Sequence, residues 1–282
     1  MPGEHMGKIQ KTVFITGTSS GIGTETALYF YEKGWNVVAT MRRPEERQSP
    51  LHEKGLPDLV HLDVTDESSI QAAVDYALQK YATIDVLVNN AGYAAYGPFE
   101  STTPAKIKKE YDTNVFGLMA VTRALLPQFR KQNNGTIINV ASVGGQTGFP
   151  LYSIYNSTKF AVEGFSESLQ YELAPHNIKV RLVEPGVIKT DFYDRSLDRV
   201  DSGGADGAYD DFIRRAKKNL SDEFIRQGSG PELVAREIFK AATDNGRRLR
   251  YPVGMDAHFM RVFRWFLPER LLFRLIEKIT LY

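Results

Sequence analysis

Short apolar runs recur along the chain, separated by stretches in which apolar residues return at helical spacing. The runs are TVFIT (12–16), NVVAT (36–40), LVHLD (59–63), DVLVN (85–89), TIINV (136–140), KVRLV (179–183) and RLRYPV (248–253). Each is apolar through most of its length instead of alternating, the pattern of strands covered on both faces. The rhythm predicts β-α-β units, hence a doubly wound α/β fold with a parallel sheet of about seven strands and helices on both faces. No repeat or low-complexity tract divides the chain, so one domain over residues 8–282 is expected.

Two stretches break the rhythm. SGGADGAYDD (202–211) is rich in glycine and small polar residues and predicts a mobile segment, making about 190–230 a candidate substrate lid. At about 257–282 leucine and phenylalanine mix with regularly placed arginines, which predicts an amphipathic helical segment broken at Pro268. Charges recur too often there for a membrane span. Packing on the core, the lid or another subunit is the preferred expectation, and lying on a membrane surface the alternative.

Composition narrows the chemistry. The 282 residues carry a net charge of +1, so no broad basic surface argues for nucleic acid, and a small-molecule partner is expected. With no cysteine, disulfides, thiolate nucleophiles and cysteine-ligated zinc are excluded. The five histidines form no HxxxH pair, and no metal is expected. The start, MPGEHMGKIQKTVFIT, has no long apolar segment before Val13 and does not read as a signal peptide. A cytoplasmic location is expected, with peripheral membrane attachment as the alternative.

Between the first predicted strand and helix stands TGTSSGIG (16–23). Gly17, Gly21 and Gly23 let the backbone turn tightly and approach a pyrophosphate, while the following helix offers unpaired N–H groups and a positive dipole end. Three stretches space a tyrosine and a lysine as YxxxK: Tyr29–Lys33, Tyr76–Lys80 and Tyr155–Lys159. Position separates them. Tyr29 and Tyr76 come late in helices whose lysines lead into the next strand's amino end, whereas Tyr155 follows the fifth strand's carboxyl end, where ligands of parallel sheets sit. Ser142 ends that same strand, and Lys159 shares a helix face with Tyr155.

The TGxxxGxG spacing, NNAG at 89–92, and Ser142 placed before Tyr155 together resemble the short-chain dehydrogenase/reductase family, over nearly the whole chain. The resemblance implies a Rossmann fold and an enzyme moving hydride between nicotinamide C4 and a carbonyl or secondary alcohol. Ser142, Tyr155, Lys159 and Asn114 are implied as catalytic. Ser142 would orient the substrate oxygen, and Asn114 would support a water beside the lysine. Cofactor contacts are implied at Gly17, Ser19, Ser20, Gly21, Ile22, Gly23, Asp63, Val64, Asn90, Gly92, Tyr155, Lys159, Pro185, Gly186, Ile188 and Thr190. Asn89 fits equally well as a bridge to the neighbouring strand. A homo-oligomer, paired through the helices bearing Asn114 and Tyr155, is implied as well.

At the end of the second strand Met41 stands where an NAD site places an acid, and Arg42 and Arg43 follow. Arg42 is suited to fork onto a 2′-phosphate, which predicts NADP(H) in preference to NAD(H). A cation at about 4 Å with an effective dielectric of about 20 favours a phenolate by about 4 kcal/mol. That is roughly three pKa units, enough to bring a tyrosine near neutrality before desolvation. Expected cleft residues are Tyr93, Tyr96, Val143, Phe149, Tyr152, Phe192 and Tyr193, which suit a bulky apolar carbonyl or alcohol. The competing reading is an NADP(H)-sensing protein without turnover, which has no need of Ser142, Tyr155 and Lys159 together.

Overall fold

The computed structural model describes residues 10–46, 49–190, 197–200, 206–219 and 228–281. The predicted lid therefore falls partly outside the described residues, as do Phe192 and Tyr193. Among the described residues the main sheet holds β1 (Thr12–Thr16), β2 (Asn36–Met41), β3 (Leu59–His61), β4 (Val86–Asn89), β6 (Gly135–Val140), β7 (Ile178–Pro185) and β9 (Arg250–Val253). Their order is β3-β2-β1-β4-β6-β7-β9, and every pairing is parallel. Each predicted strand is present to within two residues at either end. The pattern gave no sign of a small parallel pair, β5 (Ala94–Tyr96) with β8 (Leu197–Arg199), because three residues are too few for a period.

The helices are α1 (Gly21–Glu32), α2 (Pro50–Glu53), α3 (Glu67–Tyr81), α4 (Pro104–Tyr111), α5 (Leu118–Gln132), α6 (Ser153–Leu173), α7 (Asp210–Asn219), α8 (Pro231–Thr243), α9 (Met255–Phe266) and α10 (Glu269–Leu281). A wider, π-helical turn, Asp112–Gly117, joins α4 to α5. Alternate strand residues feed two cores. Val13, Ile15 and Val37 meet Phe30 of α1 and Val234 and Ile238 of α8, while Phe14, Val38 and Leu87 meet Val74 of α3 and Leu125 and Phe129 of α5. Phe14 and Phe30 are fully buried, and each such side chain contributes about 2 to 3 kcal/mol. Pro252 lies in β9, on the sheet edge, where a missing N–H is tolerated.

The other two YxxxK pairs are structural. Tyr29 packs edge-on against Phe239 of α8 with ring centroids 5.4 Å apart, and Lys33 sits over its ring. Tyr76, Lys80 and Tyr81 all donate to the carboxylate of Asp58, which is buried just before the amino end of β3. Burial opposes ionisation of Asp58, but the ammonium and the phenols outweigh it and hold the carboxyl below its ordinary value of 3.8. A carboxylate with a depressed folded value stabilises the fold above its unfolded value, and that contribution is lost as pH falls through the folded one. Tyr76→Phe is therefore expected to lower unfolding free energy by about 1 kcal/mol in urea titrations at neutral pH. The deficit should shrink under acid, as Asp58 protonates.

Candidate active site

The glycine loop forms where β1 hands over to α1. Gly17 and Gly21 have φ of +71° and +57°, in the left-handed region that favours glycine. Space is as restrictive as torsion. A Cβ on Gly17 would stand 2.7 Å from Ala91 Cα, and one on Gly23 would stand 2.2 Å from the Gly17 carbonyl oxygen. Asn90 closes the arrangement: its Nδ2 donates to the carbonyls of Thr16 (3.0 Å) and Gly17 (2.9 Å). Asn89 points into the core instead, donating to Thr122 Oγ1 and Asn139 Oδ1, both at 2.9 Å, and so bridges β4 to β6. Ser20 occupies the position before α1, but its side chain makes no capping bond. The N–H groups at the start of α1 are thus left to an external acceptor, which fits the diphosphate of a dinucleotide.

A cavity of about 1080 Å³ runs along the carboxyl edge of the sheet. Its wall includes Gly17, Ser19, Ser20, Gly21, Ile22, Gly23, Arg42, Asp63, Val64, Asn90 and Gly92 at one end. Ser142, Tyr155, Lys159, Pro185, Gly186, Ile188 and Thr190 complete it. Arg42 is exposed just past β2, with its carbonyl bonded to His61 Nδ1 (2.7 Å), whereas Arg43 pairs with Glu46 (3.3 Å). Asp63 Oδ1 accepts from the N–H and hydroxyl of Thr65, which sets the turn after β3.

Ser142 and Tyr155 flank one residue. A Cβ on Gly144 would lie 3.4 Å from Tyr155 Cε1 and 3.5 Å from Ser142 Oγ, and the Gly144 N–H donates to that hydroxyl (3.1 Å). Tyr155 is the third residue of α6 and packs beside Tyr152, which in turn meets Tyr96. The Lys159 ammonium lies 5.7 Å from the centre of the Tyr155 ring and donates to the Val140 carbonyl (2.8 Å). Burial pulls Lys159 from 10.5 down to about 8, against the opposing pull of Glu110 and Glu163. It therefore remains a cation at neutral pH. Burial likewise raises Glu110 to about 7; one of its oxygens accepts from Ala95 N–H.

Asn114 stands behind this wall in the π-helical turn. Its Oδ1 accepts from Tyr93 N–H (3.0 Å), and its Nδ2 donates to the Tyr93 carbonyl (2.8 Å) and to Thr158 (3.1 Å). The side chain thus ties α6 to the strand end after β4. Such wide turns recur at functional sites.

Of the expected cleft residues, Tyr93, Tyr96, Val143, Phe149 and Tyr152 line the cavity. Sequence reasoning missed the far wall: Asp256, Phe259, Met260 and Phe263 of α9, and Leu275, Ile279 and Thr280 of α10. Asp256 accepts from Val187 N–H (2.6 Å) and packs where any side chain on Gly186 would go, fixing the loop after β7. The acid two residues past Gly254 marks a helix start, but nothing local says which loop it meets.

Residues 11–200 match the short chain dehydrogenase family model. The oxidoreductase YusZ of Bacillus subtilis is 40% identical over 269 residues, covering 92% of this chain and 94% of that protein. The 3-ketodihydrosphingosine reductase of Bacteroides thetaiotaomicron is 35% identical over 263 residues, covering 92% and 94%. A solved short-chain dehydrogenase from Streptomyces avermitilis superposes with a TM-score of 0.80 at 32% identity, covering 97% and 98%. ElxO, solved with NADP bound, gives 0.70 at 29% identity over 86% and 97%. A Brucella melitensis 3-ketoacyl-(acyl-carrier-protein) reductase complexed with NADH gives 0.71 at 26% over 88% and 98%. The matched sequence model, the parallel sheet and relatives that span nearly the whole chain lead to one conclusion: this protein belongs to the short-chain dehydrogenase/reductase family of oxidoreductases.

Proposed function

We propose that the protein transfers hydride reversibly between NADP(H) and the carbonyl or secondary-alcohol carbon of a bulky apolar substrate. The observation that carries this reading is the convergence of Ser142, Tyr155 and Lys159 on a cavity that also contains the glycine loop. The nicotinamide, when bound, supplies or accepts the hydride. The start of α1 and the loop Gly17–Gly23 would hold its diphosphate, Asp63 and Val64 the adenine end, and Ile188 and Thr190 the carboxamide end. Exposed Arg42 with no acid at Met41 supports the 2′-phosphate form. Relatives solved with NADP and with NADH support a nicotinamide nucleotide in either form.

In the reductive direction Ser142 orients the substrate oxygen and Tyr155 gives it a proton as hydride arrives at carbon. The Lys159 cation stabilises the phenolate that remains. Asn114 is a positioning residue, acting through the Tyr93 backbone and the Thr158 hydroxyl. The tyrosine-rich wall and the apolar residues of α9 and α10 suit a large apolar ketone, and the relative named for 3-ketodihydrosphingosine supports a lipid-like one. Exposed Phe116, beside Asn114, and Phe160, on α6, support a homo-oligomer paired through these helices.

Three outcomes test this reading. Tyr155→Phe is expected to reduce kcat by about a hundredfold or more. Its NADPH affinity, followed by nucleotide fluorescence, should stay near wild type. Arg42→Ala should lower the ratio of kcat/KM for NADPH over NADH by about tenfold or more, the loss of one charge-assisted bond. An unchanged ratio would remove the cofactor assignment. Lys159→Met should abolish turnover yet raise the melting temperature at pH 7, since the wild type buries an ammonium there. A folded value of about 8 against 10.5 means that the unfolded chain binds the extra proton between them. Wild-type stability consequently gains on the variant as pH rises through that window, so the difference in melting temperature should narrow.

A further inference from the structure

The paired helices α9 and α10 are apolar on two sides. Inward, Met260, Phe263 and Leu275 line the cavity. Outward, Met255 (79% exposed), Val262 (50%) and Phe266 (81%) recur at positions i, i+7 and i+11, a single stripe along α9, with Phe259 (58%) at its border with the cavity. Trp265 (79%) borders it, and Leu271 and Phe273 are half-exposed on α10. Among the described residues only Ala257 of α9, and Leu272 and Ile276 of α10, are buried. The preferred expectation that this segment packs on the protein thus describes its inner side alone.

Charge says what can cover the outer side. Arg270, Arg274 and Lys278 follow one another at four-residue spacing, all exposed on α10, whereas on α9 Arg261 turns toward buried Glu184 and Arg264 toward Glu269. Against these three cations α10 sets Glu277, and Glu269 already meets Arg264, so the outer side of α10 stays net positive. A second copy of the chain seated on this surface would set like charge against like, because a two-fold interface presents the same patch twice. An anionic lipid surface complements it. Aromatic residues beside arginines suit the boundary between headgroups and acyl chains. Helices of 12 and 13 residues reach about 20 Å at 1.5 Å per residue, short of the roughly 30 Å of a bilayer core. No helix among the described residues is long and apolar enough to cross a membrane.

We propose that α9 and α10 form a pad that lies flat on an anionic membrane surface, and that the apolar substrate enters the cavity beneath this pad directly from the lipid. The substrate route rests on the reductase reading above, whereas the docking does not. Docking places the apolar wall of Phe263, Met260 and Leu275 next to the acyl region, so a lipid-dissolved ketone reaches Tyr155 without crossing water.

The test uses the full chain with two kinds of vesicle, phosphatidylcholine alone and phosphatidylcholine with about one-third phosphatidylglycerol. Wild type is expected to co-sediment with the anionic vesicles and to be released by high salt. Trp265→Glu with Phe266→Glu, which touches neither the cavity nor the chemistry, should cut that partition about tenfold or more. In the double variant, turnover of a short water-soluble ketone should match wild type, while KM for a long-chain ketone carried in anionic vesicles rises about tenfold. Wild type that ignores anionic vesicles, or a double variant that binds them equally well, overturns the docking. So does a wild-type dimer that light scattering shows dissociating in the variant without any vesicle binding, which would assign the face to a second copy. If wild type binds vesicles yet reduces neither ketone, the docking stands and the substrate route falls with the reductase reading.

Discussion

All seven strands of the main sheet run in one direction, and that constraint sets everything else. A parallel strand is reached only through a crossover, so the carboxyl ends gather along one edge and the helices cover both faces. The chain leaves β1 outward to β2 and β3, then returns to β4 on the other side of β1. At that reversal the chain leads from β1 to α1 and from β4 toward α5 on opposite faces of the sheet, and a crevice opens at the carboxyl edge. There the two loops must touch. Gly17 against Ala91 and Gly23 against the Gly17 carbonyl leave no room for a side chain, and Asn90 bonds the two loops together.

Lys159 shows what such a crevice demands of a charged group. Its ammonium is nearly buried and bonds the carbonyl that ends β6, so burial works against its charge. Glu110 and Glu163 offset part of that burial, but both carboxyls are themselves buried, which pushes each of them up and weakens the help they give. The balance leaves a lysine charged at neutral pH with little margin. A cation held this way lies close to its own titration, and the surrounding fold stabilises it less than a solvated surface would.

Farther out, the wall depends on buried ion pairs in place of glycines. Arg250, at the start of β9, pairs with Glu163 of α6 and Glu184 of β7, each at 3.0 Å, and so joins two strands and a helix. Burial pushes both carboxyls up, and mutual repulsion adds to it at Glu163. Arg261 reaches toward Glu184 from α9, and Asp256 of the same helix holds the loop after β7. Helix α9 is therefore tied to the core by polar contacts near the site, whereas α10 buries Leu272 and Ile276.

The strands, their number and their parallel direction were legible in the sequence because continuous burial on two faces writes a local pattern. The same holds for TGTSSGIG and for the placement of Tyr155 with Lys159, residues within one turn of one another that follow the carboxyl end of a strand. The paired strands β5 and β8 were not legible, being three residues each and a hundred residues apart. Nor was Asn114 separable from an ordinary helix asparagine, since its partners Tyr93 and Thr158 come from other elements. The sequence by itself determined the sheet, the glycine loop and the placement of Tyr155 beyond a strand's carboxyl end, because local periodicity and spacing encode each of them. Only the tertiary structure decided that α9 and α10 line the cavity, that Asp256 fixes the loop after β7 and that Lys159 is buried. Each of those depends on contacts between segments whose separation along the chain leaves no trace in any local pattern.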